Sequence, residues 1–443
     1  MPSKTYLILE NIKINYFNIL YALIMPAFIV GQFIFKSIFI LIIISALIRF
    51  KFKVFYFNKN FINLLFIITI LYFCFNVLVI SISYYELNTR YLFFLFILIF
   101  YFVTNYLLLN NNINWIKIFY LNIIILLFVY FDTFIQIIYL KDLFGYLYYQ
   151  AYDRFSGPFG EEFILGGFMS FYLVSSLLIY FKGSKKNKFT TPFIFIFFLI
   201  SIYIAIKSGE RIAFLTIVLQ IFLIPIIFQK INKIKFFQLS LLTITFLSLL
   251  VISDETVKKK YLHFYSLVFD YNSKYTVNKN NLNNDQRKVN KIGFLNNQTG
   301  AHFLTGIEIW KNFPIFGVGI KNFRKESSDE KYSDIISYHA KFRNATHPHN
   351  HQIELLSETG IIGFFLYNIF ILILLFKILK TKFIFKKNDY FLDVFLVIIL
   401  SKYFPFKSDA SLFSSSMGLL YWMYVIFLLS SFNKLALNYK KAD

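Results

Sequence analysis

Residues 347–376 read HPHNHQIELLSETGIIGFFLYNIFILILLF, a polar cluster that runs directly into an apolar stretch long enough to cross a membrane. Gly360 and Gly363, three positions apart, suit close packing of this span against another helix. Just ahead of it, His347, His349 and His351 crowd into five positions. Histidine is otherwise scarce: all six in the chain fall between His263 and His351. An imidazole is the side chain best suited to moving protons near neutral pH. The membrane segment and the chemistry are therefore to be sought together.

Composition extends the membrane signature outward from this stretch. Hydrophobic residues make up 58% of the 443 positions, and Phe alone fills 61 of them. A soluble protein has no use for so much apolar surface. The expected fold is all-α, a polytopic membrane helix bundle with about twelve transmembrane helices. Apolar runs fall near 17–33, 35–48, 61–83, 91–109, 115–139, 163–181, 190–207, 212–228, 236–252, 355–376, 389–404 and 415–432. The lone cysteine, Cys74, lies inside one of them, which excludes a disulfide frame and a Cys-based metal site. A net charge of +22 on a soluble chain would suggest nucleic acid. Here the basic residues sit mostly in short loops between spans, so no nucleic-acid partner is expected.

Those loops set the expected orientation. Arg49, Lys51, Lys53 and Lys59 fall in one; Lys182, Lys185, Lys186 and Lys188 in another; Lys230, Lys233 and Lys235 in a third. Lys377, Lys380, Lys382, Lys386 and Lys387 follow, then the tail with Lys434, Lys440 and Lys441. Every second loop is basic, as cytoplasmic loops are, which predicts both termini in the cytoplasm. The chain then divides into residues 1–252 with helices 1–9, a large outer loop at 253–354 carrying the histidines, and residues 355–443 with helices 10–12 and the tail. Within the large loop, 302–313 is expected to be helical. The run Pro314-Ile-Phe-Gly317-Val-Gly319 predicts a turn whose backbone approaches something closely.

His349 is the leading candidate for chemistry. Pro348 restricts its backbone, Asn350 is a hydrogen-bonding neighbour, and His347 adds a second imidazole. A neutral imidazole there suits proton removal from a sugar hydroxyl, although a solvated cluster at a helix start has the same sequence. Zinc is disfavoured because no carboxylate or cysteine accompanies the alternating histidines; no metal and no cofactor are expected. Arg211 opens a span, where its fork suits either bidentate capture of a diphosphate or interfacial snorkelling beside Glu210. Arg154 lies in a loop whose Gly157, Pro158 and Gly160 predict a defined turn; Glu161 and Glu162 are placed to pair with it or to bind acceptor hydroxyls. His302 and Arg324 flank the Pro314–Gly319 turn and are further candidates for phosphate or sugar; Arg287 and Arg343 carry less weight. Positive-inside topology puts Arg154, Arg211 and His349 on one side at membrane level.

His349-Asn350-x9-Gly360-x2-Gly363 resembles the signature of the bacterial O-antigen ligase and O-antigen polymerase superfamily. Arg154-x2-Gly157-x-Phe-Gly, Ser208-Gly-Glu-Arg211 and Pro314-Ile-Phe-Gly-Val-Gly-Ile-Lys-Asn-Phe-Arg324 are similar to further family patterns. The resemblance covers roughly residues 90–430. It implies a metal-independent, GT-C-like membrane glycosyltransferase with one large periplasmic loop, placed in the bacterial inner membrane with its site facing the periplasm. It implies a glycan donor linked to undecaprenyl diphosphate, and lipid A–core or another glycan as acceptor among the membrane lipids. Carried over by position, His349 is the base for the acceptor hydroxyl, Arg211 engages the diphosphate, and Arg154 precedes the sixth span. One departure stands out: where many members carry an arginine ahead of the Pro-x-x-Gly-x-Gly turn, this chain has His302, which lacks the bidentate fork.

Ligase and polymerase share this chemistry and differ only in acceptor; the ligase is the preferred expectation. A secondary transporter or lipid flippase also has about twelve spans, but related halves and mid-span charges mark that class. Here the spans read as nearly free of charge, which favours a one-sided enzyme.

Overall fold

The computed structural model describes residues 16–56, 59–80, 89–149, 154–183, 190–228, 293–337, 339–386, 389–404 and 407–440, with scattered positions between 237 and 262. His263, Arg287 and most of the span expected at 236–252 lie outside the described residues. Among those described the chain is helical, with no β-strand beyond two isolated bridges in the loop at 140–154. The helices are α1 (Ile24–Val30), α2 (Gln32–Phe50), α3 (Phe61–Phe75), α4 (Tyr91–Leu109), α5 (Trp115–Tyr139) and α6 (Leu165–Gly183). They continue with α7 (Thr190–Lys207), α8 (Arg211–Ile227), α9 (Gln298–Asn312), α10 (His351–Phe383), α11 (Tyr390–Lys402) and α12 (Ser416–Lys440).

Among the described residues, six helical stretches are long and apolar enough to cross a membrane: Gln32–Phe55, Phe61–Ile80, Tyr91–Leu109, Trp115–Tyr139, His351–Phe383 and Ser416–Asn438. Shorter apolar helices at Tyr16–Val30, Leu165–Ser175, Ile196–Lys207 and Arg211–Ile227 fall on other expected runs. The protein is a multi-pass membrane protein, all-helical among the described residues; α9 starts four residues before the position expected from sequence.

Asparagine and aspartate set several helix starts. Asn60 accepts from the Ile62 N–H, Asn114 from Ile116, Asn297 from Gly300, and Asp389 from Phe391 and Leu392. At the centre stands α12, apolar all round and buried from Leu419 to Leu429, packed on α4, α6 and α11. Between apolar helices, polar side chains supply the adhesion that the hydrophobic effect does not. Asn433 donates to Asn63 and Asn105, both at 3.0 Å, joining α12 to α3 and α4. Gln220 donates to the Ser170 carbonyl at 2.6 Å and the Ser401 hydroxyl at 3.0 Å, joining α8 to α6 and α11.

The most informative departure from a plain span is in α10, which begins at His351 and breaks at Gly360 (φ 65°, ψ −170°). The Pro314–Gly319 turn docks into the break. Val318 N–H reaches the Ser357 carbonyl and Gly319 N–H the Glu358 carbonyl, each at 3.0 Å, and Ile361 N–H reaches the Pro314 carbonyl at 2.9 Å. The close backbone approach expected of this turn is thus made to α10. Gly360 faces the turn rather than a second helix, correcting the expectation for the glycine pair; Gly363 alone meets a helix, at Tyr72 on α3.

A Cβ on Gly360 would lie 2.2 Å from the Ile315 carbonyl oxygen, on a backbone that L-residues rarely adopt. Gly360→Ala should therefore cost roughly 1–3 kcal/mol in backbone strain, because this φ/ψ combination is essentially confined to glycine, and about 1–3 kcal/mol in overpacking. Thermal unfolding of the detergent-solubilised protein reads this as a fall in Tm; a variant melting with the parent would contradict the docking.

Charge within the helices is also richer than expected. Asp132 on α5 and Glu354 and Glu358 on α10 are fully buried, and Lys382 on α10 pairs with Asp393 on α11 at 2.6 Å. Asp132 accepts from the Leu143 N–H at 3.0 Å and Glu358 from the Phe323 N–H at 3.3 Å, each through one of its two carboxylate oxygens.

Candidate functional site

Asn350 organises the histidine cluster. Its side-chain oxygen caps α10 by accepting from the Gln352 and Ile353 N–H groups at 3.0 Å, and its amide donates to the Lys407 carbonyl at 2.9 Å. Both ends of the side chain are engaged within the protein, so Asn350 shapes the site. Immediately before it, His349 sits in the left-handed region (φ 56°), uncommon for any residue but glycine. The Asp409 N–H, 2.8 Å from the His349 carbonyl, holds it there.

Two imidazoles flank the His349 ring. His302, from α9, stacks on it with ring centroids 5.1 Å apart and planes 26° apart. His347 lies 4.1 Å away on centroids. His302 Nε2 bonds the Phe342 carbonyl at 2.9 Å, while its buried Nδ1 has no hydrogen-bond partner among the described residues. Pro348 can approach α9 because Gly306 stands opposite it: a Cβ there would lie 3.3 Å from Pro348 and 2.4 Å from Ile353. His351 has a different task, donating to the Ala410 carbonyl at 2.9 Å.

Burial keeps the cluster uncharged. Desolvation, helped by repulsion from His302, lowers His349 to about 4. Desolvation and then His349 lower His347 to about 3, and burial also lowers His302. At neutral pH all three are neutral, so His349 is free to accept a proton.

A seam of charge links this cluster to the other candidates. Asp409 pairs with Lys407. Burial opposes its charge, yet Lys407, His351 and Lys402 outweigh it and hold the carboxyl below the usual range. Lys402, at the end of α11, also interacts electrostatically with Glu210, which in turn interacts with Arg154. Glu210 accepts from the Gly166 and Gly167 N–H groups at 2.7 and 3.1 Å, seating a carboxylate at the start of α6. Arg211, the first residue of α8, follows it directly.

Arg154 is bridged to Tyr149 through the backbone, and its guanidinium lies over the Phe163 ring, 5.1 Å from the centroid. The turn expected beside it is present: Gly157–Phe159 forms a 3-10 turn, fastened by Gln136 accepting from Ser156 and Gly157 N–H. No ion pair joins Arg154 to Glu161 or Glu162 among the described residues, which corrects the pairing offered from sequence. Both carboxylates are exposed, and Glu162 accepts from Gln32 at 3.2 Å. Arg324 is exposed on the single helical turn Phe323–Glu326 beyond the docked turn. Arg343 clamps the Ser328 and Asp329 carbonyls.

Sequence reading missed Glu210, Glu354, Lys402, Lys407 and Asp409 as parts of the site. Glu354 carried the strongest signal, a carboxylate at the mouth of an apolar run. Lys407 and Asp409 lie in the connection between α11 and α12, where no motif marks them.

Residues 196–368 match the family model described as O-antigen ligase. That segment contains Arg211, His302, Arg324, His347 and His349, and excludes Arg154. No curated protein matches the chain.

Proposed function

From the match of residues 196–368 to the O-antigen ligase family model, we propose that this chain is a membrane glycosyltransferase that moves a glycan from undecaprenyl diphosphate to a hydroxyl of lipid A–core. The acceptor oxygen attacks the anomeric carbon of the donor while His349 takes its proton. The bond from that carbon to the diphosphate breaks, and its electron pair leaves with the diphosphate oxygen. Arg211, helped by Arg154, stabilises the charge that develops there. Cationic side chains in that role make the reaction metal-independent.

The observation that carries this reading is the neutral, strained His349 between His302 and His347, at the bundle end where the charged seam also reaches Arg154. His302 stands in this reading as a buttress for the base rather than as a phosphate ligand; Arg324, His347, Glu161 and Glu162 are left to meet sugar or phosphate. The site faces the periplasm of the inner membrane, residues 253–354 form the periplasmic loop, and both termini are cytoplasmic.

The test is reconstitution: purified protein, a lipid-diphosphate-linked oligosaccharide, and either lipid A–core or a second donor as acceptor, with and without chelator. Glycosylated lipid A–core, insensitive to chelator, is the expected product. Elongated lipid-linked glycan in its place would make the protein a polymerase, and transfer to neither acceptor would overturn the proposal.

A further inference from the structure

We propose that Glu354 is a positioning residue for His349, acting through the chain segment 407–412; this inference rests on the assignment of His349 as the base. Glu354 lies one turn into α10 and is fully buried. Its carboxylate accepts from the Ser411 hydroxyl and, at 2.7 Å, from the Leu412 N–H. Its own N–H bonds the Asn350 carbonyl at 2.8 Å.

The segment fastened in this way returns to the histidines at every step. Lys407 offers its carbonyl to Asn350, Asp409 its N–H to the His349 carbonyl, and Ala410 its carbonyl to His351. The Asp409 carbonyl lies 3.4 Å from His347 Nε2. A histidine rests in the left-handed region only where its surroundings over-determine it, and the Asp409 N–H is what meets the His349 carbonyl. Without the Glu354 carboxylate, Ser411 and Leu412 lose their tie to α10, and the turn at His349 is free to relax. The rest of the connection to α12 keeps other ties. Trp422 donates to the Leu412 carbonyl at 3.1 Å, and Ser415 to the Ser411 carbonyl at 2.6 Å. The damage should therefore be local.

Three variants separate the possibilities: Glu354→Ala, Glu354→Gln and His349→Ala. Glutamine can accept from Leu412 N–H and donate to Ser411, so it preserves the tie. Two quantities are measured: kcat and KM with a lipid-diphosphate-linked oligosaccharide and lipid A–core, and the pH dependence of His349 carbethoxylation by diethyl pyrocarbonate, followed by mass spectrometry without substrate. That reagent modifies only the neutral imidazole, so its midpoint reports the environment of His349 directly. Glu354→Ala should lower kcat by about 10–100-fold, because small misplacements of a catalytic group cost that much, with donor KM little changed. Its midpoint should rise from about 4 toward roughly 6.5, the value of a solvated histidine. Glu354→Gln should match the parent in both readings. Parental kcat and midpoint in Glu354→Ala overturn the inference, as does equal loss in Ala and Gln variants accompanied by a lower melting temperature. An active His349→Ala overturns the base assignment and this inference together, whereas an inactive His349→Ala beside an undisturbed Glu354→Ala overturns this inference alone.

Discussion

His349→Ala should abolish glycan transfer, with a rate loss of about 10²–10⁴-fold, the usual worth of a positioned base. Alanine at φ 56° carries backbone strain of its own, so His349→Asn is the control. Asparagine tolerates the left-handed region better than most residues but cannot serve as a base near neutral pH. Both variants should be inactive, and the asparagine variant should still melt near the parent. The pH profile of the parent gives a second reading. The base works only when neutral, and His349 is lowered to about 4 by desolvation and by His302. Activity should persist as pH falls through 6.5, the ordinary range for histidine, and be lost only as pH drops through about 4. A limb near 6.5 in kcat/KM would mean that the cluster is solvated and that His349 is not held as described.

Arg211→Ala should lower kcat by about 10²–10³-fold, as expected when a donor aimed at developing negative charge is removed. Arg211→Lys should recover only part of the loss, because an ammonium keeps the charge but not the two-pronged geometry that matches a diphosphate. Glu210 would still cap α6 through Gly166 and Gly167, so both variants should fold. Arg154→Ala should cost less, since its guanidinium is partly occupied with the face of Phe163. Parental rates in Arg211→Ala would remove the arginine from the diphosphate and leave it an interfacial anchor.

Much of the architecture was legible because it depends on neighbours in the chain. Runs such as 91–109 and 115–139 announce spans by length and composition alone, and the structure returns them as Tyr91–Leu109 and Trp115–Tyr139. Asn114, Asn350 and Asp389 act within three residues of themselves, so the starts of α5, α10 and α11 follow from residue type. The Pro314–Gly319 turn was readable as a turn, and its need for close approach followed from its glycines. What it approaches was not, because Gly360 lies more than 40 residues further on and its break looks in sequence like a helix-packing pair.

The candidate site divides along the same line. That His347, His349 and His351 deserve scrutiny is a matter of local crowding, visible in five residues. That His302 stacks on His349, that His351 instead fastens Ala410, and that Glu354 and Asp409 bracket the turn are consequences of contacts made across about 50 residues of chain. The sequence by itself determined a helical membrane protein with a histidine-bearing loop against an apolar span, since hydropathy, capping and turn chemistry act over a few positions. Only the tertiary structure decided which imidazole is stacked, neutral and backbone-strained. Desolvation and hydrogen-bond partnership are properties of the packed neighbourhood, and that neighbourhood is assembled from α9, α10 and the segment before α12.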